Sequence, residues 1–365
     1  MINLSYRLQL QSFFNFIKIP DSQNKKLKFK TTSMKIIHSI FAVFLCFSMA
    51  FSQTDRPVLD IMLTNYEYPF PVKFLKIESQ NQSLKMAYMD IHPKQPNGQT
   101  VVLLHGKNFN GAYWKTTIDA LSKEGYRVIV PDQIGFGKSS KPVGYQFTFQ
   151  QLAVNTKAVL DDLKVDKIHL LGHSMGGMLA TRFALMYPEM VEKLVLENPI
   201  GLEDWKVVAA YTTIEQHYEN ELKMNYEAAK KYQAASYYDN QWKPEYDEWV
   251  YLLTGWTKDK DYPIVAMNNA QTFDMIFTQP ELYEFQNIRV TTLLIIGTRD
   301  RTALGKDSVK DKAVRDSMGM YQHLGKATQQ KIPGSQLVEL ENVGHLPHIE
   351  AFERFITPLK TFLRD

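Results

Sequence analysis

The chain of 365 residues has a single cysteine, Cys46, so nothing after it can form a disulfide, even in a compartment that permits one. Its nine histidines show no H-E-x-x-H or comparable ligand spacing, which leaves a metal centre without a sequence basis. The fragment "GFG" at 135–137 lacks the full G-x-G-x-x-G of a phosphate loop, so no dinucleotide or other cofactor is expected. There is no internal repeat and no extended low-complexity tract, which removes solenoid and disordered architectures. Basic charge is scarce outside one end. Residues 1–52 hold seven Lys/Arg against one acid, a net of +6, so the +3 of the whole chain leaves −3 for the remainder. No basic stripe with interleaved aromatics follows residue 53, and nucleic-acid binding is not expected.

The basic end has its own logic. From Met34, "MKIIHSIFAVFLCFSMAFSQ" has a basic start, an apolar stretch through Phe51 and the small residues Ala50 and Ser52 in an A-x-S pattern. This predicts a secretory signal peptide cleaved near Gln53 and a secreted or periplasmic mature protein. The apolar stretch is shorter than the ~20 residues of a membrane span. "VFLCF" lacks the small residue a lipoprotein site places before its cysteine, so no stable membrane anchor is expected. Residues 1–33 carry six Lys/Arg and one acid ahead of the signal, and the second methionine, Met34, is the expected start of translation; a long basic leader is the alternative.

Past the leader, "FLKIESQNQSLKMAYMDI" (74–91) alternates on either side of a polar turn, as a hairpin does. Six apolar runs follow: "TVVLLHG" (100–106), "YRVIVPD" (126–132), "KIHLLGHS" (167–174), "KLVLENP" (193–199), "TTLLIIGT" (291–298) and "SQLVELENV" (335–343). Helical stretches separate most of them, which predicts an α/β fold with a mostly parallel sheet covered on both faces. Thr148 and Gln151 stand at capping-box spacing ahead of a helix from Phe149 to Leu163. Between 199 and 286 the alternation stops. This segment holds four of the five tryptophans (Trp205, Trp242, Trp249, Trp256) and many tyrosines, among them Tyr211, Tyr218, Tyr237, Tyr238 and Tyr251. It reads as a helical lid inserted between a first core part (53–198) and a second (287–365). Some of its rings are expected to line a pocket for a small-molecule substrate with an apolar part, and most to pack the insert itself.

The chemistry centres on "LLGHSMGGMLA" (170–180), where G-x-S-x-G follows a strand and opens a helix. Ser174 is therefore the candidate nucleophile rather than a plain turn serine. A serine hydroxyl needs a base to take its proton and a carboxylate to orient that base. "LIIGTRD" ends a strand at Asp300 and "VELENVGHLPHIE" ends the next at His345, and these are the candidate acid and base. His348 is the rival base, inside the next helical stretch, and Glu197 the rival acid, better read as a strand-end residue. A tetrahedral intermediate requires two N–H donors. Met175, at the helix start, is one; Lys107 in "LLHGKNFNGAYW" is the other, with Asn108 as alternative. His105 and Asp132 read as loop organisers.

Five ordered motifs, "LLHGKNFNGAYW", "PDQIGFGKSSKP", "LLGHSMGGMLA", "LIIGTRD" and "VGHLPHIE", resemble the α/β-hydrolase superfamily from about residue 74 to the end. The resemblance implies an eight-stranded sheet with a lid and a Ser-Asp-His triad, in a serine hydrolase for which an ester is the foremost substrate. Serine at the elbow departs from the dehalogenase and epoxide-hydrolase branches, which use aspartate. "HGKNF" departs from the "HGGPG" of proline iminopeptidases. The stretch containing "MYQHLGKATQQ" predicts an added helix near the site. Amidase, peptidase or C–C bond hydrolysis by the same residues, and a binding protein on a retired scaffold, are the alternatives.

Overall fold

A computed structural model describes residues 56–365. The expected signal peptide and its expected cleavage site lie outside the described residues. Eight strands form one sheet in the order β1-β2-β4-β3-β5-β6-β7-β8. The hairpin β1 (Val72–Ser79) and β2 (Gln82–Ile91) is antiparallel, and β2 joins β4 (Arg127–Pro131) antiparallel. From there every pairing is parallel: β3 (Thr100–Leu104), β5 (Ile168–His173), β6 (Val191–Glu197), β7 (Thr291–Gly297) and β8 (Gln336–Leu340).

Period-two alternation along each strand divides the core into two layers. Val102, Leu104, Leu170, Leu194, Leu196, Leu294 and Ile296 face one cluster, together with Leu152 of α2 (Phe149–Asp162), Phe183 of α3 (Met175–Met186) and Tyr321. Their neighbours Val101, Leu103, Leu171, Val195, Leu293 and Ile295 face the other, with Ile118 of α1 (Lys115–Lys123) and Phe355. Both faces being apolar is why these strands read as continuous runs. At the start of α2, Thr148 Oγ1 accepts the Gln151 N–H at 3.0 Å. Gln151 does not complete the box: its amide bonds Asn155 instead, one turn on.

Four helices lie between β6 and β7: α4 (Ile214–Glu221), α5 (Tyr226–Tyr237), α6 (Asp247–Thr254) and α7 (Tyr262–Thr278). Several of the aromatics there pack one another. Tyr238 stacks on Tyr246 at 3.8 Å, and Trp242 stands edge-on to both. Beyond β7, α8 (Lys312–Ser317) and α9 (Tyr321–Lys331) precede β8, so the expected extra helix is present. The short α10 (Pro347–Glu350) and α11 (Phe352–Arg364) close the chain. Among the described residues no helix is long and apolar enough to cross a membrane.

Candidate active site

Parallel register brings the carboxyl ends of β3, β5, β6, β7 and β8 to one edge, with Leu104 beside Gly172, His173 beside Glu197, and Gly297 beside Leu340. The chain leaves this edge through Ser174, Asn198, Asp300 and His345, where open sheets of this kind gather ligands. Ser174 sits between β5 and α3 at φ 58°, a left-handed conformation that costs a non-glycine residue on the order of 1 kcal/mol or more. Neighbours hold it there. Its N–H donates to Glu197 O, and its carbonyl accepts from Gly177 and Ile200. The flanking glycines have no room for side chains: a Cβ on Gly172 would fall 2.0 Å from Gly176 O, and one on Gly176 2.2 Å from Leu104 O. The motif is thus a packing requirement of strand β3 against the turn.

Ser174, His345 and Asp300, remote in sequence, form one hydrogen-bonded chain. His345 Nδ1 lies 2.6 Å from Asp300 Oδ2 and Nε2 lies 3.0 Å from Ser174 Oγ. A carboxylate only accepts, so Nδ1 carries the proton and Nε2 is left to accept from the serine hydroxyl. All three are buried, Ser174 at 7%, His345 at 1% and Asp300 at 0% exposure. Asp300 is itself fixed: Asn198 Nδ2 donates to Oδ2 and Thr302 N–H to Oδ1, each at 2.8 Å. Asn198 also accepts the Gly297 N–H, so one side chain ties β7 to the carboxylate. Sequence reasoning missed Asn198, although its place directly after a strand-end glutamate marks it as a residue of the same edge.

The rival residues have other partners. Glu197 is fully buried and accepts both the backbone N–H and Nδ1 of His348, at 2.9 and 2.8 Å. That couple pins α10 to β6, and neither member joins the Ser174 chain. Asp132 accepts from Gly111 N, Lys138 N and the Tyr68 hydroxyl, and His105 Nε2 accepts from Gln133 N. Both organise loops, as read.

The two expected backbone donors lie on the segments that follow β5 and β3. Met175 is the first residue of α3, where N–H groups have no intrahelical partner. Lys107 follows Gly106, whose Cβ would meet Ser174 Cβ at 3.1 Å, so this loop runs against Ser174. Its side chain reaches Glu221 of α4 at 3.7 Å, and Asn108 donates to the Tyr237 hydroxyl at 2.9 Å. Beneath the serine, Gly106 N–H donates to the Tyr113 hydroxyl, which lies 3.0 Å from His173 Nδ1; His173 Nε2 donates to the carbonyl of His345 at 2.7 Å. Burial, reinforced by the neighbouring imidazoles of His345 and His348, holds His173 well below the usual histidine range, which keeps it neutral for this bridge.

The match to known proteins follows these features. Residues 99–352 match the alpha/beta hydrolase fold family, and the chain belongs to it. A crystal structure of a probable hydrolytic enzyme from Pseudomonas aeruginosa PAO1 is 48% identical, with a TM-score of 0.82 over 84% of this chain and 98% of that one. The 2-hydroxy-6-oxononadienedioate/2-hydroxy-6-oxononatrienedioate hydrolase of Escherichia coli O81 (strain ED1a) is 41% identical over 127 residues, 34% of this chain. The chain thus spans 43% of the length of that relative. An esterase from Exiguobacterium antarcticum, 21% identical with a TM-score of 0.62 over 80% of this chain and 99% of its own, shares the fold. The chain therefore has the α/β-hydrolase fold.

Proposed function

We propose that the protein is an exported serine hydrolase that cleaves an ester-type carbonyl through an acyl-enzyme. The observation that carries this reading is the Ser174–His345–Asp300 chain, built on a left-handed serine at a strand end. Ser174 Oγ attacks the carbonyl carbon while His345 Nε2 takes its proton, and Asp300 orients the ring and offsets the imidazolium charge. Backbone N–H groups of Met175 and Lys107 receive the oxyanion. Collapse releases the alcohol with the proton from Nε2; water, deprotonated by the same nitrogen, then frees the acid and Ser174. The segment 199–286 acts as the lid, and the substrate is a small molecule with an apolar part. Residues 34–52 direct export, giving a mature chain that begins near Gln53 without a stable membrane anchor. Purified residues 53–365 should be labelled by a fluorophosphonate, and Ser174→Ala should take none. A binding protein on this scaffold would remain unlabelled.

A second reading, C–C bond hydrolysis of a vinylogous dicarbonyl acid, is favoured by the identity to the oxononadienedioate hydrolase. The same serine chain would serve it. Turnover of p-nitrophenyl butyrate without turnover of a 2-hydroxy-6-oxodienoate supports the ester reading, and the reverse supports the second.

A further inference from the structure

One residue of the insertion touches the site in three ways. Tyr237, the last residue of α5, lays its ring on the His345 imidazole with 4.8 Å between centroids and 25° between planes. Its backbone carbonyl accepts the His345 N–H at 3.3 Å. Its hydroxyl accepts from Asn108 Nδ2, across the site in the loop that follows β3. The fit against the histidine loop leaves no slack, since a Cβ on Gly344 would lie 1.9 Å from Tyr237 O. The ring is 4% exposed, so these are contacts of a buried side chain. A stacked ring restrains the tilt of an imidazole, and a hydroxyl bonded to Asn108 restrains the backbone next to the expected oxyanion donor.

We infer that Tyr237 is a positioning residue: it sets the His345 ring and the 107–108 backbone in register with each other, so that the insertion must be seated for the site to be assembled. This rests on the reading of Ser174, His345 and Asp300 as the catalytic residues. The Tyr113–His173 bridge makes the same connection from beneath, which leaves the insertion as the half of the clamp that can be tested without disturbing the sheet. A displacement of about 1 Å in such a constellation costs on the order of 100-fold in rate.

The test uses residues 53–365 and p-nitrophenyl acetate, whose small acyl group asks little of a binding pocket. Tyr237→Phe keeps the ring and the carbonyl and should lower kcat on the order of tenfold with KM within about twofold. Tyr237→Ala should lower kcat on the order of 100-fold, again with little change in KM, and Phe at this position should restore most of that loss. Asn108→Ala should match Tyr237→Phe, and the double variant should lose no more than either alone. Melting curves of Tyr237→Phe near those of the parent keep the comparison among folded proteins. Unchanged kcat in Tyr237→Ala, a loss confined to KM, or additive losses in the double variant would overturn the proposal. Ser174→Ala separates the two levels: if it still turns over substrate the triad reading fails, whereas an inactive Ser174→Ala beside a normal Tyr237→Ala removes only the role of Tyr237.

Discussion

The sheet edge and the insertion that meets it hold their functional residues by different means. β5 is buried at all of its positions, from Ile168 to His173, and delivers Ser174 from a strand fixed by hydrogen bonds on both sides. Helix α4, by contrast, has no buried residue, and it meets the loop after β3 through the Lys107–Glu221 pair. Position on the sheet follows from backbone register and apolar burial, so it is cooperative with the whole fold. Position in α4 rests on a few side chains, so it can be lost locally, whereas α7 of the same insertion buries Val265, Ala266, Met275 and Ile276 in the core. The Ser174–His345–Asp300 chain therefore stands on the more firmly held part, and α4 is its looser neighbour.

The sharpest way to break this comparison is to remove the chemistry without touching either region's packing. Ser174→Ala and His345→Ala should each lower kcat by on the order of 10⁴ or more at unchanged circular dichroism, and the double change should cost little beyond either, because such groups act as a unit. Steady-state kinetics on purified variants check this.

Next come two pairs that tie elements together. Glu197 and His348 are both buried, and Glu197→Ala would strand the imidazole in the core, for an expected loss on the order of 3 kcal/mol in urea denaturation. Lys107 and Glu221, at 14% and 16% exposure and 3.7 Å apart, should contribute about 1 kcal/mol or less, so Glu221→Gln should barely shift the global transition. Equal losses would erase the distinction between the regions.

Acid stability gives a third contrast. Burial pushes the Asp90 carboxyl up, but hydrogen bonds from Arg127 and Lys73 outweigh it and bring the group down to about 2. A carboxyl held below its unfolded value contributes stability above about pH 4 that is lost as pH falls toward 2. Asp90 joins β2 to Arg127 at the head of β4, so Asp90→Asn should flatten that acid limb of global unfolding by roughly 2 kcal/mol. Thermal melts between pH 2 and 7 read the change.

What the sequence disclosed divides along the same line. Strand runs such as "TTLLIIGT" were legible because a strand covered on both faces must be apolar throughout, and Ser174 because strand, glycines and helix coincide at "LLGHSMGG". Asp300 and His345 were legible as residues that follow strands, although β7 ends at Gly297 and β8 at Leu340, so both stand on the loops beyond rather than at the strand ends expected. Tyr237 was not, since no spacing rule relates residue 237 to 345, and one tyrosine among many carries no mark of which ring it will meet. Glu197 reads as a rival acid because it also ends a strand; only packing shows that its partner is His348.

The smallest effect is the most discriminating, because it compares the same substitution in both regions. Thr148 caps α2 against the sheet, and Thr213 caps α4 in the insertion, where Gln216 completes the box that Gln151 leaves open. Replacing either threonine by alanine removes one N-cap acceptor and costs about 1 kcal/mol of helix stability. In α2, which buries Leu152, Val159 and Leu160, helix and fold unravel together, so Thr148→Ala should lower the global Tm by about 2 to 4 °C with little change in kcat/KM. In α4 the same loss should appear as local fraying, with faster amide exchange over 214–221 and an unchanged Tm. Because α4 carries Glu221, the partner of Lys107, that fraying should still lower kcat/KM several-fold. A fall in Tm for Thr213→Ala equal to that for Thr148→Ala would mean the insertion is as cooperative as the sheet, and its role as a separately seated half of the site would have to be abandoned.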